Sequence, residues 1–181
     1  MEKNYIIAGF GGQGVLFAGK VIANAFMLAG KNVTWYPCYG AEMRGGTVNC
    51  EIVVSDEEVS SVHKKNADCV IVLNQLSFDR FLPIIKQGGT LICNSSLVEK
   101  ARPRDDIEYI FVPMTDKAIS MGNHKLANMV SLGVLSNTEK VLNTQILEKA
   151  IDMVLPETRK KLAKSNMEAV MLGVDKELIS V

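Results

Sequence analysis

A short apolar run, Tyr5 to Ala8, leads straight into Gly9-Phe10-Gly11-Gly12-Gln13-Gly14, and an alanine-rich helical pattern starts at Val15. A strand, a glycine-rich turn and a helix in that order constrain this chain more than any other feature. Glycine lets the backbone turn sharply and bring its N–H groups close to an anion or to another backbone. Gly9, Gly11 and Gly14 meet the spacing Gly-x-Gly-x-x-Gly, in the strand-to-helix context that gives such a pattern meaning. Within Val15 to Ala29, Gly19 and Ala23 lie one turn apart, and small residues at that spacing let a helix pack closely on a sheet.

Downstream, strand and helix patterns alternate. Val33 to Tyr36 reads as a second strand. Thr47 to Val54 alternates, with Val48, Cys50, Ile52 and Val54 on one face and Thr47, Asn49 and Glu51 on the other, which suits a strand with one less buried face. Val70 to Leu73 and Leu91 to Cys93 are continuous apolar runs, as in central strands covered on both sides. Leu76, Phe81, Leu82 and Ile85 outline a helix between them that Gly88-Gly89 is expected to end. Tyr109 to Val112 is a further strand, closed by Pro113. From 114 onward the pattern is helical. Asn123 is a cap for the run through Val134, Ile146 to Leu155 is a second helix, and Pro156 suits the first turn of a last helix reaching about Leu172. The expected fold is α/β, a Rossmann-like doubly wound, mostly parallel sheet with a helical C-terminal region at about 114–181, forming one domain over 1–181.

A second glycine-rich stretch, Tyr36-Pro37-Cys38-Tyr39-Gly40-Ala41-Glu42-Met43-Arg44-Gly45-Gly46-Thr47, lies about thirty residues after the first. A plain turn needs glycine or proline, but not Tyr39, Glu42, Met43 and Arg44 together. Between residues 4 and 50 the only charged groups are Lys20, Lys31, Glu42 and Arg44. So uncharged a segment leaves apolar surface for which another subunit is the natural cover. Glu42 and Arg44 could instead pair with each other at the surface, a contact worth little.

Several chemistries are disfavoured. The 20 basic and 20 acidic side chains balance, so no nucleic-acid footprint or polybasic membrane contact is expected. No apolar run has the ~18 residues of a membrane span, and the N-terminus lacks a signal-peptide pattern; the expected compartment is the cytoplasm. Cys38, Cys50, Cys69 and Cys93 are too scattered for a metal or cluster site built by this chain alone. Cys50, Cys69 and Cys93 read as core residues; Cys38 lies in the second stretch without a neighbouring base. A dinucleotide site would place an acid at the end of the second strand, where Trp35-Tyr36-Pro37 has none. No lysine follows the first loop to make a phosphate loop, so NAD and ATP are both disfavoured. His63 and His124 read as solvated or capping residues. The amide of Gln13 can donate and accept, which suits a neutral ligand edge or a backbone across an interface.

Gly9-Phe10-Gly11-Gly12-Gln13-Gly14 together with Tyr39-Gly40-Ala41-Glu42-Met43-Arg44-Gly45-Gly46-Thr47 resembles the gamma subunit of 2-oxoacid:ferredoxin oxidoreductases. The later pattern Asn123 to Gly133 also fits, so the likeness covers nearly the whole chain. The resemblance implies a complex of anaerobic metabolism that decarboxylates a 2-oxoacid, passes the acyl group to coenzyme A and reduces ferredoxin. Thiamine diphosphate and iron–sulfur clusters are then expected on alpha, beta and ferredoxin-like delta partners, with no cofactor, metal or catalytic residue on this chain alone. The implied ligand-binding or interface residues are Gly9, Gly11, Gly12, Gln13, Gly14, Tyr39, Gly40, Glu42, Met43, Arg44, Gly45, Gly46 and Thr47. Two other readings stay open: the small subunit of an indolepyruvate oxidoreductase, and a stand-alone nucleotide-binding α/β regulator.

Overall fold

The computed structural model describes residues 1–39, 47–99 and 101–175. Six strands form one sheet: β1 (Glu2–Phe10), β2 (Asn32–Tyr39), β3 (Thr47–Ser55), β4 (Ala67–Val72), β5 (Ile85–Asn94) and β6 (Glu108–Val112), in the order β2-β3-β1-β4-β5-β6. β1, β4, β5 and β6 run parallel; β3 is antiparallel to both β1 and β2. The sheet is therefore mostly parallel, with one reversed strand. That strand separates β2 from β1, whereas a dinucleotide fold sets its second strand directly beside the first. β2 still runs parallel to β1, so the crossover through α1 (Val15–Leu28) skips one strand position.

Both faces of the sheet carry helices, unequally. One face buries Tyr5, Ile7, Ile52 and Ile71 against α1, α3 (Met114–Ser120), α4 (Ala127–Thr138), α5 (Thr144–Val154) and α6 (Ala163–Val174). The other buries Ile6, Ala8, Val70, Val72 and Phe111 under the short α2 (Gln75–Phe81). Small residues bring α1 down onto β3. A Cβ on Gly19 would overlap the Cys50 sulfur and lie 3.0 Å from Trp35 Nε1. α4 is buried on every side from Ala127 to Leu135, as expected of a helix without a polar face.

Four local expectations change. Tyr36 to Tyr39 belong to β2 rather than to a loop, and Pro37 falls on the outermost strand, the place in a sheet where proline is tolerated. Gly88-Gly89 do not end a helix: α2 stops at Phe81, Leu82–Ile84 form one 3₁₀ turn around Pro83, and β5 has begun by Ile85. Gly88 instead adopts φ +73°, with a pairing irregularity beside it on β4. The second face of β3 is buried too, with Asn49 and Glu51 4% and 6% exposed. Glu51 is held by His63 Nδ1 at 2.9 Å, so His63 faces a carboxylate that is remote in sequence. Finally, Pro156 precedes a 3₁₀ turn, Glu157–Leu162, and α6 starts only at Ala163. The expected core cysteines are buried, and their thiols are pushed up by desolvation, Cys50 and Cys93 to about 12.

One surface contact sets an acid response. The Lys31 ammonium holds the exposed Asp56 carboxyl down at about 2. A carboxyl whose folded value lies below its unfolded value of about 3.9 stabilises the fold above that pH and stops doing so as pH falls through about 2. Thermal melts of Asp56→Asn should therefore fall slightly below those of the parent at pH 7 and merge with them near pH 2. A constant difference at both pH values would show that the charge is not responsible.

Candidate functional site

The first glycine loop and the described ends of the second stretch lie at one edge of the sheet. β1 and β2 end where β3 begins: Phe10 pairs with Thr47, Gly9 with Val48, and Tyr39 with Val48 from the other side. This is the carboxyl edge of the parallel strands, where open α/β sheets bind ligands. Residues 40–46, carrying Gly40, Glu42, Met43, Arg44, Gly45 and Gly46, lie outside the described residues; their flanks Tyr39 and Thr47 lie beside the first loop.

The glycines of the first loop do different things. Gly9 is in β1, where a Cβ would come within 2.6 Å of Gln13 Oε1 and 3.1 Å of Val15. Gly14 is the N-cap of α1 at φ +73°, and a Cβ would overlap the Asn128 amide. These two are packing glycines. Gly12 is exposed, at φ +100°, and a Cβ placed on it would meet nothing within 4 Å. Its lack of a side chain serves a backbone conformation that L side chains rarely adopt, on an open side of the loop. Beside it, Phe10, Gly11, Leu16, Phe17 and Val48 line a recess of about 280 Å³. No acidic side chain occupies the first turn of α1.

Gln13 does not hold its amide out to a ligand. Oε1 accepts from Phe10 N–H at 2.6 Å and from Asn74 Nδ2 at 3.1 Å, while Nε2 donates to Leu73 O at 3.3 Å. The side chain folds back because the β4–α2 turn supplies both a carbonyl and an amide within reach, so all three bonds stay within the chain. Asn128, from α4, donates to Gly14 O at 3.0 Å and braces the loop from the helical side.

The structure adds residues that lie outside both glycine-rich motifs. Asn74 caps α2 by accepting from Ser77 N–H at 2.9 Å. An asparagine between an apolar strand and a helix is a legible cap signal in the sequence. Asn94 and Asn128 carry no comparable local signal. Arg80 reaches Thr47 Oγ1 at 3.2 Å from α2. It brings a guanidinium to the start of β3, although its position in the sequence lies well away from both loops.

Cys38, half-buried on β2, has its thiol pushed up by desolvation and by the nearby Glu51 carboxylate. A protonated thiol is a poor nucleophile. Among the described residues, no three His, Cys, Asp or Glu side chains are grouped to hold a metal ion. No helix among them is long and apolar enough to cross a membrane.

Comparison with known proteins agrees with this geometry. The family model for pyruvate ferredoxin/flavodoxin oxidoreductase matches residues 4–176. The 2-oxoglutarate synthase subunit KorC of Archaeoglobus fulgidus is 34% identical over 175 residues, 96% of this chain and 87% of that protein. The ketoisovalerate oxidoreductase subunit VorA of Methanothermobacter marburgensis is 37% identical over 134 residues, 74% of this chain. The matched part spans only 28% of VorA, so that relative is far longer. Among solved structures, the keto/oxoacid ferredoxin oxidoreductase gamma subunit of Geobacter sulfurreducens superposes with a TM-score of 0.82 at 25% identity, over 99% of each chain. The 2-oxoglutarate:ferredoxin oxidoreductase of Magnetococcus marinus shares the fold with a TM-score of 0.85 at 22% identity, over 96% of this chain and 30% of that one. By its sequence match over nearly its whole length, this chain belongs to the pyruvate ferredoxin/flavodoxin oxidoreductase family, in the group of its gamma-type subunits.

Proposed function

We propose that the chain works as the gamma subunit of a multisubunit 2-oxoacid:ferredoxin oxidoreductase, which converts a 2-oxoacid and coenzyme A to acyl-CoA while reducing ferredoxin. The observation that carries this reading is the carboxyl edge. There the first glycine loop follows β1 beside the start of β3, and Gly12 is exposed at φ +100° with nothing within 4 Å of where a Cβ would stand, in a chain of this family. The chain's role is to close that edge against alpha, beta and ferredoxin-like delta partners and to help form the coenzyme A region. The Magnetococcus marinus enzyme of the same fold was solved with 2-oxoglutarate, coenzyme A and succinyl-CoA bound.

The residues fit a supporting part. Cys38 and Cys50 lie on the adjacent strands β2 and β3, while Cys69 and Cys93 lie on β4 and β5, and desolvation pushes all four thiols up, away from the thiolate form that a cluster ligand needs. In this reading, thiamine diphosphate and iron–sulfur chemistry belong to the partner chains. A nucleotide-binding regulator is the weaker reading. β3 stands where the second strand of a dinucleotide site belongs, and β2 ends without a ribose-binding acid.

Assayed alone with several 2-oxoacids, coenzyme A, thiamine diphosphate and a viologen acceptor, the chain should show no turnover; co-purified with its partners it should. Turnover by the isolated chain would overturn the assignment of the chemistry to the partners. Within the complex, Arg44→Met keeps the side-chain stem and removes the charge. If Arg44 meets a coenzyme A phosphate, the apparent affinity for coenzyme A should fall by about tenfold with the complex intact on gel filtration. If it meets a partner carboxylate, the complex should dissociate more readily. No change in either would remove Arg44 from the site.

A further inference from the structure

One carbonyl ties three loop ends together at the carboxyl edge. Leu73 O accepts from Gln13 Nε2 at 3.3 Å and from Asn94 Nδ2 at 3.2 Å. The N–H of Leu73 donates to Ala8 O at 2.9 Å, which fixes this peptide against the end of β1. Asn74, the next residue, holds the other end of the Gln13 amide at 3.1 Å. The turn at 73–74 is thus the socket in which Gln13 sits, and Gln13 in turn holds Phe10 N–H.

Asn94 supports the socket from behind. It is fully buried at the end of β5. Its second Nδ2 proton goes to Thr115 Oγ1 at 2.8 Å, and its Oδ1 accepts from Thr115 N–H at 3.2 Å. Both donors and the acceptor of the amide are engaged. α3 has no capping side chain at Pro113, so Asn94 caps it from the neighbouring strand. A buried amide is costly unless its polar atoms are paired, and a network this complete holds its members in one geometry.

We infer that Asn94 is a positioning residue for the glycine loop: acting through Leu73 and Gln13, it sets where the Phe10-Gly11-Gly12 backbone is held and ties that position to the start of α3. Its consequence for catalysis rests on the reading of this edge as the coenzyme A and partner region. The loop itself has few other tethers. A Cβ on its outer residue Gly12 would meet nothing within 4 Å, so the residues that anchor the loop's ends matter most for its placement.

The test is hydrogen exchange on the full chain, read residue by residue, in Asn94→Ser and in Thr115→Val, with Thr115→Ser as the conservative control. In Asn94→Ser, exchange at Phe10 N–H should quicken by about tenfold while Ile7 and Val70, in the interior of β1 and β4, change far less. Thr115→Val should give a smaller effect in the same direction, and Thr115→Ser should restore the parent pattern. In the assembled complex, Asn94→Ser should raise the KM for coenzyme A by about three- to tenfold with kcat nearly unchanged, because loop placement is altered and the chemistry is not. Unchanged protection at Phe10, or equal acceleration throughout β1 and β4, would overturn the inference. If the parent complex itself shows no coenzyme A-dependent turnover, the proposed function fails, and the exchange pattern still decides the role of Asn94.

Discussion

Replacing Gly133 with alanine is expected to destabilise the protein by about 3 kcal/mol. α4 and α6 cross at Gly133 and Gly173 with their backbones in contact. A Cβ on Gly133 would overlap Val170 O and come within 2.8 Å of Gly173 Cα. A side chain can change rotamer to make room, but a helix backbone can do so only by moving the whole helix. Asn137 would move with it, since its Nδ2 bonds the last carbonyls of α6, Gly173 O at 3.3 Å and Val174 O at 3.1 Å. For a chain of this size the loss amounts to about 10 °C in melting temperature. Gly173→Ala should behave alike, because its Cβ would overlap Val130 O. The double change should cost less than the sum, since both act on one crossing. A melting temperature within a degree or two of the parent would show that the two helices can separate freely.

Gly12→Leu should reduce the activity of the assembled complex by at least about tenfold while lowering the melting temperature of the free chain no more than Gly12→Ala does. Both changes place a Cβ at φ +100°, a strain of about 1–2 kcal/mol for any L residue. A Cβ there would meet nothing within 4 Å and Gly12 is exposed, so the longer side chain is expected to add little to the folding penalty. It does stand in the way of whatever approaches this edge. The useful comparison is therefore leucine against alanine, in activity and in melting temperature separately. An equal loss in both would make Gly12 a folding residue and withdraw it from the interface. Gly14→Ala is the counterexample within the same loop: its Cβ would displace the Asn128 amide, so folding should suffer directly.

This contrast shows how far local sequence carries. The run Gly9-Phe10-Gly11-Gly12-Gln13-Gly14 presents Gly9, Gly12 and Gly14 alike as glycines of one loop. Only the neighbours distinguish them, and those neighbours come from the turn after β4 and from α4, 60 and 114 residues away in the case of Gln13 with Leu73 and Asn128 with Gly14. The same holds for Gln13. Its chemistry is legible as that of a residue that both donates and accepts, but the direction of its amide depends on the 73–74 turn.

Most of the strands, the glycine loop, the buried cysteines and the family were determined by the sequence itself, whereas the start of β5 at Ile85 and the short α3 were not legible there. Apolar periodicity, glycine geometry and motif spacing act over a few residues and need no knowledge of what packs where. The reversed position of β3 between β1 and β2, the burial of Glu51 beneath His63, the backbone contact of Gly133 with α6 and the bracing of the loop by Asn94 were decided only by the tertiary structure. Each depends on a pairing between distant segments. The alternating pattern of β3 would look the same at an edge or in the interior, and an asparagine is committed to a structural bond only when folding brings a carbonyl and a hydroxyl within about 3 Å of it.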